Sequence, residues 1–482
     1  MTWLTTNLPL LFTAPAALIA LQWAIRLVML VVVPFRRSPA AAKAWLMLIF
    51  FQPLAGLGLY LIFGRAIQPR WLQQRRRKWN AMFKTIIGNI NAITTKRRLT
   101  LKTELPLQAT YLQKHFPLPP SHGNNVEVIS VYDAFTEKLV EDIAAATHHV
   151  HLLFYIFKND ATGRRVAAAL AEAAARGVTC RVLIDAIGSW PRTIRSTLLK
   201  SGVQVHSALP LSRKGGLTRA DLRNHRKIAV IDGTTAYTGS QNICNPVLHG
   251  KHTQRELMLR LHGPAVLGLQ AIFSADWFLE SEEVLSQTDY FPMLPAKPYG
   301  DTITQVLPSG PDYPGARVDD LLVTLIHNAR STVTITTPYF IPSEPLLHAL
   351  HSATKRGVDV HLITSKRTDS LLVLLAQRSY YADLMKSGVH LHLYKGSFLH
   401  SKMLTIDGVA ALIGSSNIDL RSFELNGEIN LMLYDTKLTT ELNTLESTYI
   451  RASHTHTLKS WHNRSFFLKT LENLARLLSP LL

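Results

Sequence analysis

Two copies of one pattern, H-x-K-x4-D-x6-G-S-x-N, stand 175 positions apart in this 482-residue chain. The first copy is His225, Lys227, Asp232, Gly239, Ser240 and Asn242, and the second is His400, Lys402, Asp407, Gly414, Ser415 and Asn417. Exchange at a phosphodiester without a metal needs one imidazole to attack phosphorus and a second to protonate the departing oxygen. It also needs donors for the phosphoryl oxygens. Two half-sites of this composition supply all of these. Lys227 and Lys402 bring positive charge to the phosphoryl oxygens, while Asn242, Asn417, Ser240 and Ser415 offer neutral hydrogen bonds to substrate. Asp232 and Asp407 complete the catalytic pattern, but they fall where a strand turns, which favours a structural role over direct participation. Cys180 and Cys244 are too few for a disulfide framework. No Asp, Glu, His or Cys group has metal-ligand spacing, so neither a metal nor a cofactor is called for.

Such chemistry requires elements that bring the two copies together, and the chain repeats itself in a way that can do so. In the first half, Val150 to Phe157 reads as a buried strand, Arg164 to Arg176 as an Ala-rich helix ended by Gly177, and Val178 to Asp185 as the next strand. In the second half, Val333 to Thr337 is the strand, Ser343 caps a helix that runs to Arg356, Gly357 stops it, and Val358 to Thr364 follows. Strand–helix–strand units of this length predict an α/β fold with a mixed sheet in each half. The runs Lys227 to Asp232 and Lys402 to Asp407 are β-rich, and Asp-Gly marks a hairpin turn after each. Side chains alternate along a strand, so His225 and Lys227 share a face, as do His400 and Lys402. A pseudo-two-fold pairing of the halves would turn both faces into one cleft. The expected organisation is residues 1–63 as an anchor, 64–125 as a basic juxtamembrane linker, 126–300 as the first half and 301–482 as the second.

The charge is strongly uneven. The first 103 residues hold 15 Lys or Arg and no acid, whereas the remaining 379 hold 37 basic and 33 acidic side chains, a net of +4. The basicity therefore accompanies the apolar N-terminus, which favours anionic lipid over nucleic acid as a partner. Leu8 to Val33 is mostly apolar with Arg26 as its one charge, and Trp45 to Phe63 carries no charge over 19 residues. These lengths predict two transmembrane helices, since about 20 apolar residues span hydrocarbon. Arg36, Arg37 and Lys43 lie between the stretches. Six basic residues from Arg65 to Lys78 follow the second, which places the catalytic part in the cytoplasm. Arg75 to Lys78 also suit attraction to anionic headgroups.

The repeated motif resembles that of the phospholipase D superfamily. Its surroundings narrow the resemblance to bacterial cardiolipin synthases: Arg223-Asn224-His225-Arg226-Lys227, Thr337 to Pro342, Asn417 to Ser422 with Leu425-Asn426, and Arg476 to Leu482. With the apolar N-terminus, it covers almost the whole chain. It implies two duplicated phospholipase D-like halves and a multi-pass protein of the bacterial inner membrane. The implied reaction joins two phosphatidylglycerol molecules into cardiolipin and glycerol. By the same analogy His225 is the nucleophile and His400 the general acid and then base, through a phosphohistidine. Each histidine also needs a carboxylate on its other ring nitrogen. Glu256 and Glu428 occupy equivalent strand contexts, 31 and 28 positions after the histidine of their own half, and superfamily members carry an acid there.

Three rivals share parts of this pattern. A phosphatidyltransferase or phospholipase D with another donor headgroup would use the same residues. A superfamily nuclease would want a basic groove, which the small net charge after residue 103 does not provide. A lipid-surface scaffold would not need two complete motifs. Tyr155 and Tyr339 follow equivalent strands and could border the cleft, although packing suits them better. Leu371 to Leu375 with Tyr380 and Tyr381 could approach acyl chains, and again core packing fits better. In the C-terminal piece Phe467, Leu471, Leu474 and Leu478 share one helical face, which could dock on the body or on a membrane.

Overall fold

Fifteen strands between Ser121 and Thr455 join into one continuous sheet in the computed structural model, which describes residues 2–37, 39–64, 70–94, 106–190, 194–213, 216–217, 220–248, 252–285 and 288–479. In the first half they are β1 (Ser121–Ile129), β2 (His149–Phe154), β3 (Thr179–Asp185), β4 (Gln204–Ala208), β5 (Lys227–Ile231), β6 (Thr235–Gly239) and β7 (Met258–His262). In the second half they are β8 (Thr302–Ser309), β9 (Thr332–Thr337), β10 (Asp359–Ser365), β11 (His390–Tyr394), β12 (Met403–Ile406), β13 (Ala410–Gly414) and β14 (Glu428–Tyr434). A last strand, β15 (Ser453–Thr455), lines the far edge.

Outward from the middle, one half runs β1-β7-β6-β5-β2-β3-β4 and the other β8-β14-β13-β12-β9-β10-β11. The order is the same in both, which is the duplication expected from the repeated motif. β2, β3 and β4 pair in parallel, as do β9, β10 and β11, and the remaining pairs are antiparallel. The halves meet where β1 pairs antiparallel with β8, at Ser121↔Thr304 and Asn124↔Thr302. Hydrophobic side chains on both sheet faces form the core. The helix Pro264–Ser281 is buried along nearly its whole length. It packs against strands of both halves, with Val266, Leu269 and Phe273 in the same apolar cluster as Ile429 and Leu431.

Two expectations about the N-terminal third need correction. The second apolar stretch is not one rod. Its helix Pro39–Phe51 stops at Gln52, a new helix runs Pro53–Leu59, and a wider turn closes Tyr60–Gly64. Pro53 causes the break, because it has no N–H for an interior helical bond and its ring crowds the preceding turn. Among the described residues no helix is long and apolar enough to cross a membrane, so two transmembrane helices are not supported.

The second correction concerns the basic segment, which is more than a linker. The helix Arg70–Thr94 buries Trp79, Phe83, Ile86 and Ile90 in the main core against Pro264–Ser281. Two of the basic residues expected to meet headgroups are spent on this docking. Arg75 donates to the carbonyls of Leu279 (2.7 Å) and Glu280 (3.2 Å) and pairs with Glu282, while Arg76 pairs with Asp312. Arg77 and Lys78 remain exposed. Arg65, Lys96, Arg97, Arg98 and Lys102 lie outside the described residues, as do Pro480 to Leu482.

Candidate active site

Each motif histidine stands just before a buried strand, β5 or β12; Lys227 opens β5, and Lys402 immediately precedes β12. Lys227 is fully buried and its Nζ donates to the carbonyl of His225 at 2.6 Å. Lys402 repeats this with His400 at the same distance. The two lysines and two carboxylates act on one another across the halves. Burial pulls Lys227 down to about 7 and Lys402 to about 8, with Glu428 and Glu256 opposing the shift.

The carboxylates reach the histidines, but crosswise. His225 Nδ1 lies 3.0 Å from both oxygens of Glu428, and His400 Nδ1 lies 2.7 Å from Glu256 Oε1. Each histidine is therefore oriented by the other half, not by its own as the spacing suggested. The backbone explains the exchange. His225 N–H donates to Gly427 O at 2.8 Å, and Gly427 N–H returns to Arg223 O at 2.8 Å. At the second site His400 N–H donates to Arg255 O at 2.8 Å, where Gln254 and Arg255 pair in parallel with Phe398 and Leu399. Each histidine loop is thus zipped to the residue preceding the other half's glutamate. With Nδ1 engaged, Nε2 of each ring is left for substrate.

Electrostatics agree with this division. Burial pushes His225 down to about 4 against the pull of Glu428, and it pushes His400 down against Glu256. Against the upward push of burial, the facing histidine and the nearby lysine hold each glutamate below its ordinary range. At neutral pH His225 is therefore a neutral imidazole on an ionised carboxylate, and a neutral imidazole is the nucleophilic form.

The remaining motif residues separate into two groups. Ser240 and Ser415 were expected to touch substrate, yet both are fully buried. Ser240 Oγ donates to Glu256 and accepts from Leu257 N–H at 2.9 Å; Ser415 Oγ donates to Glu428 and accepts from Ile429 N–H at 3.0 Å. They hold the carboxylates. The preceding glycines permit the approach, since a Cβ on Gly239 would stand 2.3 Å from Leu257 O and one on Gly414 would stand 2.3 Å from Ile429 O. Asn242 Oδ1 accepts from Ile156 N–H at 3.1 Å, leaving its NH2 for substrate. In the second half Gln377 takes the equivalent N–H of Phe340, and Asn417 Oδ1 is buried without a partner among the described residues.

Asp232 and Asp407 do not join the site, which corrects their place in the catalytic pattern. They end β5 and β12 at positive φ, 51° and 52°, each followed by a positive-φ glycine. Asp232 accepts the N–H groups of Thr147, His148 and His149 at 2.8–2.9 Å, and Asp407 those of Arg330, Ser331 and Thr332 at 2.7–2.9 Å. A strand length separates them from the lysines, roughly 15 Å at about 3.3 Å per residue.

Sequence reasoning missed a buried polar layer beneath the cleft. Arg226, with no exposed surface, donates from Nη1 to both oxygens of Asp276 (2.8 and 2.7 Å). It also donates to Ser309 O and Glu428 O at 3.0 Å each, so it ties the first half to the second. Arg223 pairs with Asp185 at 3.3 Å, and Asn224 donates to Asp276 at 3.0 Å. The signal was present as a charge between two same-face motif residues of an otherwise apolar strand, but its partners are distant in sequence. Tyr155 borders the nucleophile candidate, edge-on to His225 with ring centroids 4.9 Å apart.

Known proteins resemble this chain in sequence and in fold. The family profile described as "Cardiolipin synthase, PLD-like domain" matches residues 139–277 and 322–447, and one described as phospholipase D-nuclease N-terminal matches 23–65. Cardiolipin synthase A of Erwinia tasmaniensis is 33% identical over 464 residues, covering 93% of this chain and 94% of that protein. The enzyme of the same name from Pectobacterium atrosepticum is 33% identical over 460 residues with the same coverage. Among solved structures, a phosphatidylserine synthase of Haemophilus influenzae aligns with a TM-score of 0.60 at 14% identity. It covers 78% of this chain and 100% of its own, a likeness of fold.

Proposed function

From the premise that this chain belongs to the cardiolipin synthase family of the phospholipase D superfamily, we propose that it is a phosphatidyltransferase making cardiolipin and glycerol from two phosphatidylglycerols. The observation that supports the mechanism is the crossed pair of His–Glu contacts, in which each half's glutamate orients the other half's imidazole beside a buried lysine. His225 Nε2 attacks the phosphorus of the first phosphatidylglycerol. The bond from phosphorus to the glycerol headgroup breaks, and His400, which takes up a proton on Nε2 as the anionic phosphodiester enters beside Glu256, gives that proton to the departing alkoxide, so glycerol leaves. The phosphatidyl group is then held on His225 as a phosphoramidate. His400, now basic, takes the proton of a headgroup hydroxyl on the second phosphatidylglycerol. That oxygen attacks phosphorus, the P–N bond breaks, and cardiolipin is released. The intermediate retains the free energy of one diester for the next, so no nucleotide is consumed. Lys227, Lys402, Asn242 and Asn417 stabilise the charge that builds on the phosphoryl oxygens.

The bilayer is the proposed setting. The N-terminal hairpin, made of the helix Thr2–Val32 packed on the helix Pro39–Phe51 and the turns around them, leaves Leu27, Val28, Val31, Phe35, Phe51 and Ile62 exposed, and it continues into a stretch of chain without acids. Both features suit attachment to an anionic membrane, with the catalytic part in the cytoplasm and no role for nucleic acid. The deciding assay supplies detergent-solubilised protein with radiolabelled phosphatidylglycerol alone. Cardiolipin and free glycerol in equal amounts are expected. Phosphatidic acid as the sole product would make the protein a hydrolase and overturn the reading.

A further inference from the structure

The C-terminal helix Phe466–Arg476 is attached to the body with its faces reversed. A surface helix ordinarily turns its apolar stripe inward. Here the inward residues are Glu472 and Ala475, at 1% and 5% exposure. Glu472 is gripped by Arg378 (3.1 Å) and Arg464 (2.5 Å), and Arg476 lies over the Tyr380 ring at 4.5 Å. The opposite face carries Phe466 (82% exposed), Phe467 (71%), Leu474 (54%) and Leu477 (49%). The neighbouring helix Leu371–Arg378 packs alongside and adds Leu371, at 71%. Together these residues leave roughly 600 Å² of surface in water, at the upper end of the largest apolar patch a soluble protein ordinarily exposes.

The charge around the patch and its place in the fold identify what covers it. From Leu458 onward the chain has four basic residues and one acid, the buried Glu472; Arg464 and Arg476 turn inward to Glu472 and the Tyr380 ring, which leaves Lys459 and Lys469 as the outward charges beside the patch. The patch also begins at the cleft. Two residues before Leu371, Asp369 accepts the Tyr339 hydroxyl at 2.5 Å. The Tyr339 ring approaches Phe398 at 6.3 Å, and Phe398 approaches the catalytic candidate His400 at 5.5 Å. At the equivalent place after β3, the first half exposes Trp190 at 75%. Apolar side chains thus stand on both flanks of the cleft.

We propose that this face is a second membrane-contact surface, distinct from the N-terminal hairpin. In this role Phe466, Phe467, Leu474 and Leu371 enter the acyl region of an anionic bilayer, and the cleft is held against the surface from which it draws substrate. The need for such contact follows from the lipid substrate proposed above, but the face itself is read from the helix reversal. Basic residues framing an apolar helical face match the chemistry of an interfacial helix.

The test uses the full chain, whose own Cys180 and Cys244 are buried. Phe467→Cys and Leu371→Cys, each labelled with an environment-sensitive fluorophore, are reconstituted in vesicles of phosphatidylglycerol and phosphatidylethanolamine. A matched set of vesicles carries nitroxides on the acyl chains. The expected result is strong quenching at both positions, comparable to a label at Phe51→Cys in the N-terminal hairpin. A label at Thr440→Cys, exposed on a helix packed against the other sheet face, should stay bright. Dark Phe51 labels beside bright labels at 467 and 371 would overturn the proposal. So would a concentration-dependent blue shift without quenching, which would assign the face to a second copy of the chain. Quenching needs no turnover, so failure of the proposed reaction would leave this readout intact. As a second measurement, Phe466→Ser/Phe467→Ser should lose about tenfold or more of its turnover on vesicle phosphatidylglycerol. On short-chain monomeric substrate it should stay within about twofold. Equal loss on both would also count against the surface.

Discussion

At the scale of single residues, the crossed carboxylates make two chemically similar glutamates separable by experiment. Glu428 orients the proposed nucleophile and Glu256 the proposed acid. Both Glu428→Gln and Glu256→Gln should cut turnover by about 10²-fold or more, since each leaves an imidazole without its ionised partner. A donor with a good leaving group, which needs no general acid, should restore phosphohistidine formation in Glu256→Gln and not in Glu428→Gln. Rapid acid quench with mass spectrometry of the motif peptides reads the difference. Rescue of Glu428→Gln instead would exchange the roles of the two histidines. The lysines make a separate prediction about pH. Burial lowers Lys227 to about 7 and Lys402 to about 8, so the charged forms are lost as pH rises through that range. The kcat/KM of the wild type should decline above about pH 7. Lys227→Arg cannot lose its proton in this range, so the lower of the two alkaline steps should disappear from its profile, whatever its absolute rate.

At the scale of elements, the motif aspartates terminate strands and receive the incoming chain of the neighbouring strand. Each gathers three backbone N–H groups at the turn, and each keeps a backbone conformation that a non-glycine residue rarely adopts. Asp407→Ala should therefore cost about 1–3 kcal/mol of stability by losing those acceptors. Its turnover per folded molecule should stay within about twofold of wild type. Denaturant midpoints and active-site titration separate the two quantities, and a specific loss of kcat in fully folded protein would return Asp407 to the catalytic set. Local patterning located most elements here. Asp-Gly lies at both hairpin turns, the Ser343 side chain accepts from Leu346 N–H to open its helix, and β3 follows Gly177 where the Arg-Gly-Val step placed it. The broken helix at Pro53 ran against apolar length alone, because hydropathy counts side chains and proline acts on the backbone.

At the scale of the whole molecule, Arg226 joins the halves beneath the cleft: paired with Asp276 of its own half, it donates to Ser309 O and Glu428 O of the other, in a fully buried layer. Removing one partner leaves an uncompensated buried charge, a loss of about 3–5 kcal/mol. Arg226→Ala should lower the melting temperature sharply. The Arg226→Met/Asp276→Leu double variant should recover most of that loss, as apolar replacements of buried pairs often do. Thermal denaturation of the single and double variants tests the cycle. An Arg226→Ala variant with unchanged stability would mean that Arg226 does not bind the halves together.

The chain's own sequence determined the chemistry and the repeat. Histidine and lysine at i and i+2 share a face of any strand, and the second copy of the motif declares a second half, because both follow from local geometry and residue type. Tertiary structure alone decided which glutamate serves which histidine, that Ser240 and Ser415 brace carboxylates, and that Arg226 spans the halves. It also decided which way the C-terminal helix faces. The periodicity that grouped Phe467, Leu471 and Leu474 described one apolar stripe, while the buried grip of Arg378 and Arg464 on Glu472 turned that stripe outward. Contacts between residues some 200 positions apart depend on how the halves pair, and no spacing along a single chain encodes that pairing.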